Sequence, residues 1–208
     1  LNFFNEDIHL LFYFLFLLII FFVFLNFENN FSELFLSLTS SISNAGFSLN
    51  NSSNNLSFIF LILVIIGGSF FSTSSGIRFL KIYSLFKYSI NEILSYSRPK
   101  NIYINKHLFS KDSFKLDEIY KYFLSVIVFI ISLLILTFLL TLSGIDFESS
   151  FKLSILTIMN TVNSSMFGLS DFSFYDLHFI TKYYLIFFMI VGRLELLTLL
   201  IICKKFLF

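Results

Sequence analysis

The sequence predicts an all-α membrane protein that uses one unit twice, and three observations carry that prediction. Three long apolar runs, two of them free of Asp, Glu, Lys and Arg, match the length of a hydrocarbon core. Two shorter apolar runs each end in a loop of Asn, Ser and small residues. Over 208 residues the chain is 57% hydrophobic and 13% charged, with a mean hydropathy of +0.86, more apolar side chain than a soluble surface hides.

The first run, Ile8 to Phe27, is apolar apart from His9 and the polar Asn26 near its end, and about 20 residues at roughly 1.5 Å each cross a core of about 30 Å. Tyr122 to Leu142 is a second span. Tyr183 to Cys203 is a third, flanked by Lys182 and by Lys204 with Lys205, although Arg193 and Glu195 interrupt it.

Phe31 to Ile42 and Phe147 to Met159 are too short to span. A half-length helix followed by a polar loop is the pattern of re-entry; an interfacial helix lying flat has the same length. Leu56 to Ile66 is also short, so that crossing must continue through Gly67-Gly68-Ser69-Phe70-Phe71-Ser72-Thr73-Ser74-Ser75-Gly76. Non-helical backbone at membrane depth is tolerated only where it is buried in protein or lines a watery cavity. Small residues that ease helix packing account for the glycine pair, but less well for five hydroxyls between Ser69 and Ser75.

From Arg78 to Lys121 there are nine basic and four acidic residues, which places this loop on the cytoplasmic side. The opposite face then holds Glu28, Glu33, Asp146, Glu148, Asp171 and Asp176 against Lys152 and Lys182, an acidic vestibule that concentrates cations or simply the acids of exposed loops. Cys203 is the single cysteine, and His9, His107 and His178 lack metal-ligand spacing, so redox and metal chemistry have no residues to work with, and no enzyme activity is expected. No cofactor and no nucleic-acid partner is expected. Leu1-Asn2-Phe3 carries neither an initiator Met nor a basic n-region, and the chain is expected to be part of something longer.

The unit repeats after the basic loop: Phe31 to Asn44 and Phe147 to Asn160 are equal intervals, each ending in the Asn that opens a polar loop. Such a half-helix aims its negative C-terminal end at a cavity, and the following loop offers backbone carbonyls to a dehydrating cation. In the first loop, Ser43-Asn44-Ala45-Gly46-Phe47-Ser48-Leu49, Gly46 takes backbone angles that a Cβ disfavours. In the last span, Arg193 and Glu195 sit at mid-membrane. A charge there costs at least roughly 2.5 kcal/mol and is expected to be functional, or else a structural ion pair; two residues apart, they do not share a helix face.

On these residues the chain resembles the C-terminal half of Trk/Ktr-type bacterial potassium uptake transporters, the TrkH family. Ser43-Asn44-Ala45-Gly46-Phe47 is similar to a family filter loop. Gly67-Gly68 through Ser72-Thr73 to Gly76-Ile77-Arg78 is similar to the third repeat's gating loop, with Phe71 and Ser75 where the family has Gly. Gly192-Arg193-Leu194-Glu195 resembles the signature of the last helix.

The resemblance implies two helix–pore loop–helix repeats, half of a four-repeat, potassium-channel-like pore. Residues 1–95 would form the third-type repeat, with span 8–27, pore helix 31–43, filter 44–49 and broken span 56–90. Residues 96–121 would be the cytoplasmic linker. Residues 122–208 would form the fourth-type repeat, with span 122–142, pore helix 147–160, filter 160–165 and span 177–205.

The resemblance further implies an ion filter of Asn44, Ala45, Gly46 and Phe47 with Asn160, Thr161, Val162 and Asn163. The gate would be Gly67, Gly68, Ser72, Thr73 and Gly76 with Arg193, and Glu195 the ion-pair partner. Val162 or Ser165 stands at the second filter's glycine position, depending on register. Potassium is the implied substrate, and the lipid bilayer, a missing N-terminal half, a cytoplasmic nucleotide-binding regulatory subunit and a homodimer are the implied partners. A bacterial inner membrane is the implied location. The alternatives are a structural or electron-transfer membrane subunit, or an inactive transporter fragment.

Overall fold

The computed structural model describes residues 5–24, 31–47, 54–67, 77, 79–96, 116–162, 165–169, 174–175 and 177–193. Among the described residues the chain is helical, with no strand: α1 (Asn5–Phe24), α2 (Phe31–Ile42), α3 (Asn54–Ile66), α4 (Phe79–Tyr96), α5 (Leu116–Leu142), α6 (Phe147–Met159) and α7 (Phe179–Arg193), with a 3₁₀ turn at Ser165–Phe167. Four expected gate residues, Gly68, Ser72, Thr73 and Gly76, lie outside the described residues, as do Asn163 and Glu195.

Of the two half-length helices, α6 is enclosed, whereas α2 buries one face and exposes Phe31 and Phe35 on the other. From Leu153 to Met159 every residue of α6 is buried, on all sides of the helix, as in a helix enclosed by others. A helix lying flat on a surface would keep one face exposed, so the interfacial alternative does not describe α6. It packs between α5 and α7, and α3 covers it from the other half together with the 3₁₀ turn. Phe60, Leu61, Leu63 and Val64 of α3 are buried there, beside Met166 and Phe167. The Thr137 and Ser154 hydroxyls, 2.8 Å apart, join α5 to α6.

The outer helices show the reverse pattern. Helix α5 buries Phe129, Leu133, Leu136 and Leu140 at helical spacing and exposes Ile130, Ile131, Leu134, Ile135 and Phe138. Helix α1 likewise exposes Phe14, Ile19 and Phe22, and α7 exposes Tyr183, Phe187 and Ile190. Apolar surface of this extent belongs against lipid or further protein rather than water. Among the described residues one helix, Asp117–Leu142, is long and apolar enough to cross a membrane; Leu11–Phe24 and Leu56–Ile66 are shorter apolar helices.

Several helix boundaries differ from expectation. Helix α5 begins at Leu116 and takes in the last six residues of what the sequence assigns to the linker, because Asp117 and Glu118 suit the positive end of a helix dipole. Helix α4 runs on to Tyr96, beyond the expected end at residue 90. The last helix starts at Phe179, where the Thr181 and Lys182 N–H groups donate to the His178 carbonyl; residues 194–205 of that expected span lie outside the described residues.

Candidate functional site

Both half-length helices carry a glutamate in the first turn, Glu33 and Glu148, and no basic residue in the last. Their N-terminal dipole ends are thus matched and their C-terminal ends keep an uncompensated partial negative charge. Both then stop the same way. Asn44 (φ 57°) and Asn160 (φ 55°) are left-handed, a conformation Asn tolerates better than other non-glycine residues. The next N–H reaches back five residues in each case: Ala45 donates to the Ser40 carbonyl at 2.9 Å, and Thr161 to the Leu156 carbonyl at 2.9 Å. Two residues past the caps stand Gly46 and Val162, so the shared cap geometry aligns Val162, not Ser165, with Gly46.

The first loop folds around Ser40. Its carbonyl accepts the Ala45 N–H and, at 3.4 Å, the Gly46 N–H, while its hydroxyl accepts the Phe47 N–H at 2.6 Å. In a trans peptide the C=O points opposite to the N–H of the following residue. With three successive N–H groups turned back to Ser40, the carbonyls of Asn44, Ala45 and Gly46 project away from the helix end. Sequence reasoning missed Ser40; the signal was a hydroxyl residue within one turn of the loop. Its counterpart by the same interval, Leu156, has no hydroxyl to offer, and Val162 is not among the residues with positive φ whereas Gly46 has φ 80°. The second loop therefore repeats the cap of the first but not its clamp.

The two loops meet. A Cβ built on Gly46 would lie 2.2 Å from the Val162 carbonyl oxygen and 2.8 Å from its nitrogen. The Asn44 side-chain amide points to the Met159 carbonyl at 3.5 Å, the last residue of α6. Thr161 is buried, and among the described residues its hydroxyl has no hydrogen-bond partner. Phe47 and Val162 are exposed on this side of the chain. A cavity of about 620 Å³ opens beside Thr161 between α6 and α7, but its wall is mainly aliphatic, including Leu153, Leu156, Leu185 and Met189. It offers a cation little, and the loops are the better candidate.

At the expected gate, Gly67 (φ 66°) ends α3, and its carbonyl accepts the Tyr13 hydroxyl of α1 at 3.0 Å in a buried setting. The Ile77 N–H donates to the Ile65 carbonyl at 3.4 Å, which closes the two described ends of the intervening segment onto each other. Tyr13 was not anticipated, since nothing in an apolar run marks one hydroxyl as an anchor. Arg193 ends the described part of α7 and is exposed, and among the described residues it has no ion-pair partner. Just before it, Gly192 packs so closely on α6 that a Cβ would sit 2.0 Å from the Ile158 carbonyl oxygen.

A family model, TrkH, described as cation transport protein, matches residues 26–207, most of the chain and both loops. The chain belongs to the TrkH family. The potassium transporter TrkH from Vibrio parahaemolyticus has a similar crystal structure, with TM-score 0.75 and 22% sequence identity over 89% of this chain. That match covers 41% of the solved chain, so the present chain spans about two fifths of its length. No curated protein sequence matches. The helical membrane-transporter fold expected from sequence is thus the fold of this TrkH-family chain, and the family is one of transporters rather than enzymes.

Proposed function

We propose that this chain lines half of a pore for potassium, with the 44–47 and 160–163 segments supplying filter carbonyls to the ion as substrate. The observation that carries this reading is the convergence at Gly46 and Val162. Two helix C-termini without basic residues meet there, and three carbonyls of the first loop project from the side held by Ser40. Partial negative charge and dehydrating oxygens at one point are what a monovalent cation requires. The orphaned Thr161 hydroxyl adds a buried polar group of the kind that an ion or water satisfies.

The 67–76 segment is the gate in this reading, with Tyr13 as its anchor, and Arg193 is a positive barrier beneath the filter. Glu195 balances that charge in the last span. Two repeats close only half of a four-part pore, so an N-terminal half completes it. A homodimer and a cytoplasmic nucleotide-binding subunit near the basic 78–121 region, in a bacterial inner membrane, follow from the family resemblance alone.

The test is rubidium tracer uptake in potassium-uptake-deficient bacteria that express this chain with the N-terminal half. Uptake abolished by Gly46→Asp and altered by Arg193→Ala supports the reading. No uptake despite membrane insertion overturns it and leaves a structural subunit or an inactive remnant.

A further inference from the structure

The residue that stops a helix in the left-handed conformation is most often glycine, which adopts it without strain. At both caps this chain uses asparagine, and what asparagine adds is a side-chain amide. Both amides are directed at a backbone carbonyl of another helix. Asn44, capping α2, points to Met159 at the end of α6; Asn160, capping α6, donates to the Met189 carbonyl of α7 at 3.0 Å.

Met189 is four residues before Arg193, so its carbonyl is the one that helical geometry offers to the Arg193 N–H. The Asn160 amide thus shares the acceptor of the turn that carries Arg193. The Gly192 backbone contact with the Ile158 carbonyl holds the same turn from a second point. Filter cap and gate residue are joined through two named contacts, with no intervening loop.

The geometry points to Asn160 as a positioning residue: its side-chain amide fixes the height of Arg193 relative to the second filter loop through the Met189 carbonyl. The inference rests on the proposed role of Arg193, but the position of that residue can be measured without transport. If Asn160 served only to stop the helix, glycine would replace it without consequence. A positioning role requires the amide.

The experiment uses the chain with its N-terminal half and a Cys203→Ser, Arg193→Cys background, so that position 193 carries the only thiol of this chain. The rate at which a charged methanethiosulfonate modifies that thiol is compared for Asn160, Asn160→Gly and Asn160→Asp. Glycine keeps the left-handed cap and removes the amide, while aspartate keeps the shape and removes the donor. Both are expected to change the rate about fivefold, the weight of one net hydrogen bond. Rates unchanged in both variants overturn the inference.

Rubidium uptake with Arg193 in place separates the two claims. A rate shift without uptake in the parent retains the positioning role and removes the transport reading. Uptake without a shift does the opposite.

Discussion

Gly46 and Val162 are in backbone contact across the two loops: a Cβ on Gly46 would fall 2.2 Å from the Val162 carbonyl oxygen, inside any tolerable separation. Glycine is needed here for two independent reasons, the positive φ of 80° and the approach of the opposite loop.

Gly46→Ala is therefore expected to lower stability by about 1–3 kcal/mol and to abolish rubidium uptake. Thermal unfolding of the purified protein in detergent reads the first effect. A variant as stable as the parent would mean that the loops do not touch.

Ser40→Ala removes the acceptor of the Phe47 N–H, a partly buried hydrogen bond whose loss costs about 0.5–1.5 kcal/mol. The carbonyls of the first loop then lose one of the three contacts that orient them. Rubidium uptake in the presence of competing sodium is expected to fall more than uptake without it; equal losses would show that the clamp has no part in selectivity.

Tyr13→Phe deletes the hydroxyl that α1 donates to the Gly67 carbonyl, again about 1–3 kcal/mol for a buried acceptor left unpaired. Because that carbonyl opens the proposed gating segment, the variant is expected to raise the resting rate of uptake while lowering the melting temperature. A lower melting temperature with unchanged uptake would make Tyr13 a packing residue only.

The Lys152 ammonium donates to Glu148 at 2.6 Å, and this hydrogen bond, then the charge itself, holds the Glu148 carboxyl below its ordinary range. A carboxyl whose folded pKa is depressed stabilises the fold above its unfolded pKa and loses that contribution as the pH falls through the folded value. The melting temperature of Glu148→Gln should lie below the parent's at neutral pH, with the gap closing in acid. Because Glu148 is exposed, the gap should also shrink with added salt. A gap that widens in acid would contradict the pairing.

Much of the fold was legible in the residues. The limits of α2 and α6 followed from apolar run length, and the equal Phe31–Asn44 and Phe147–Asn160 intervals carried over to caps with nearly equal φ. The helical membrane-transporter class was legible too. Where α5 begins was not, because the acidic residues that mark its first turn sit inside a charged loop.

The sequence by itself determined the limits of α2 and α6 and which asparagines open the loops after them, since these depend on apolar run length and the conformations each residue tolerates. Only the tertiary structure decided that Gly46 meets Val162, that Tyr13 holds Gly67, and that Asn160 reaches Met189. Those contacts join residues far apart in the chain, and their existence depends on how helices pack around α6, which no local pattern encodes.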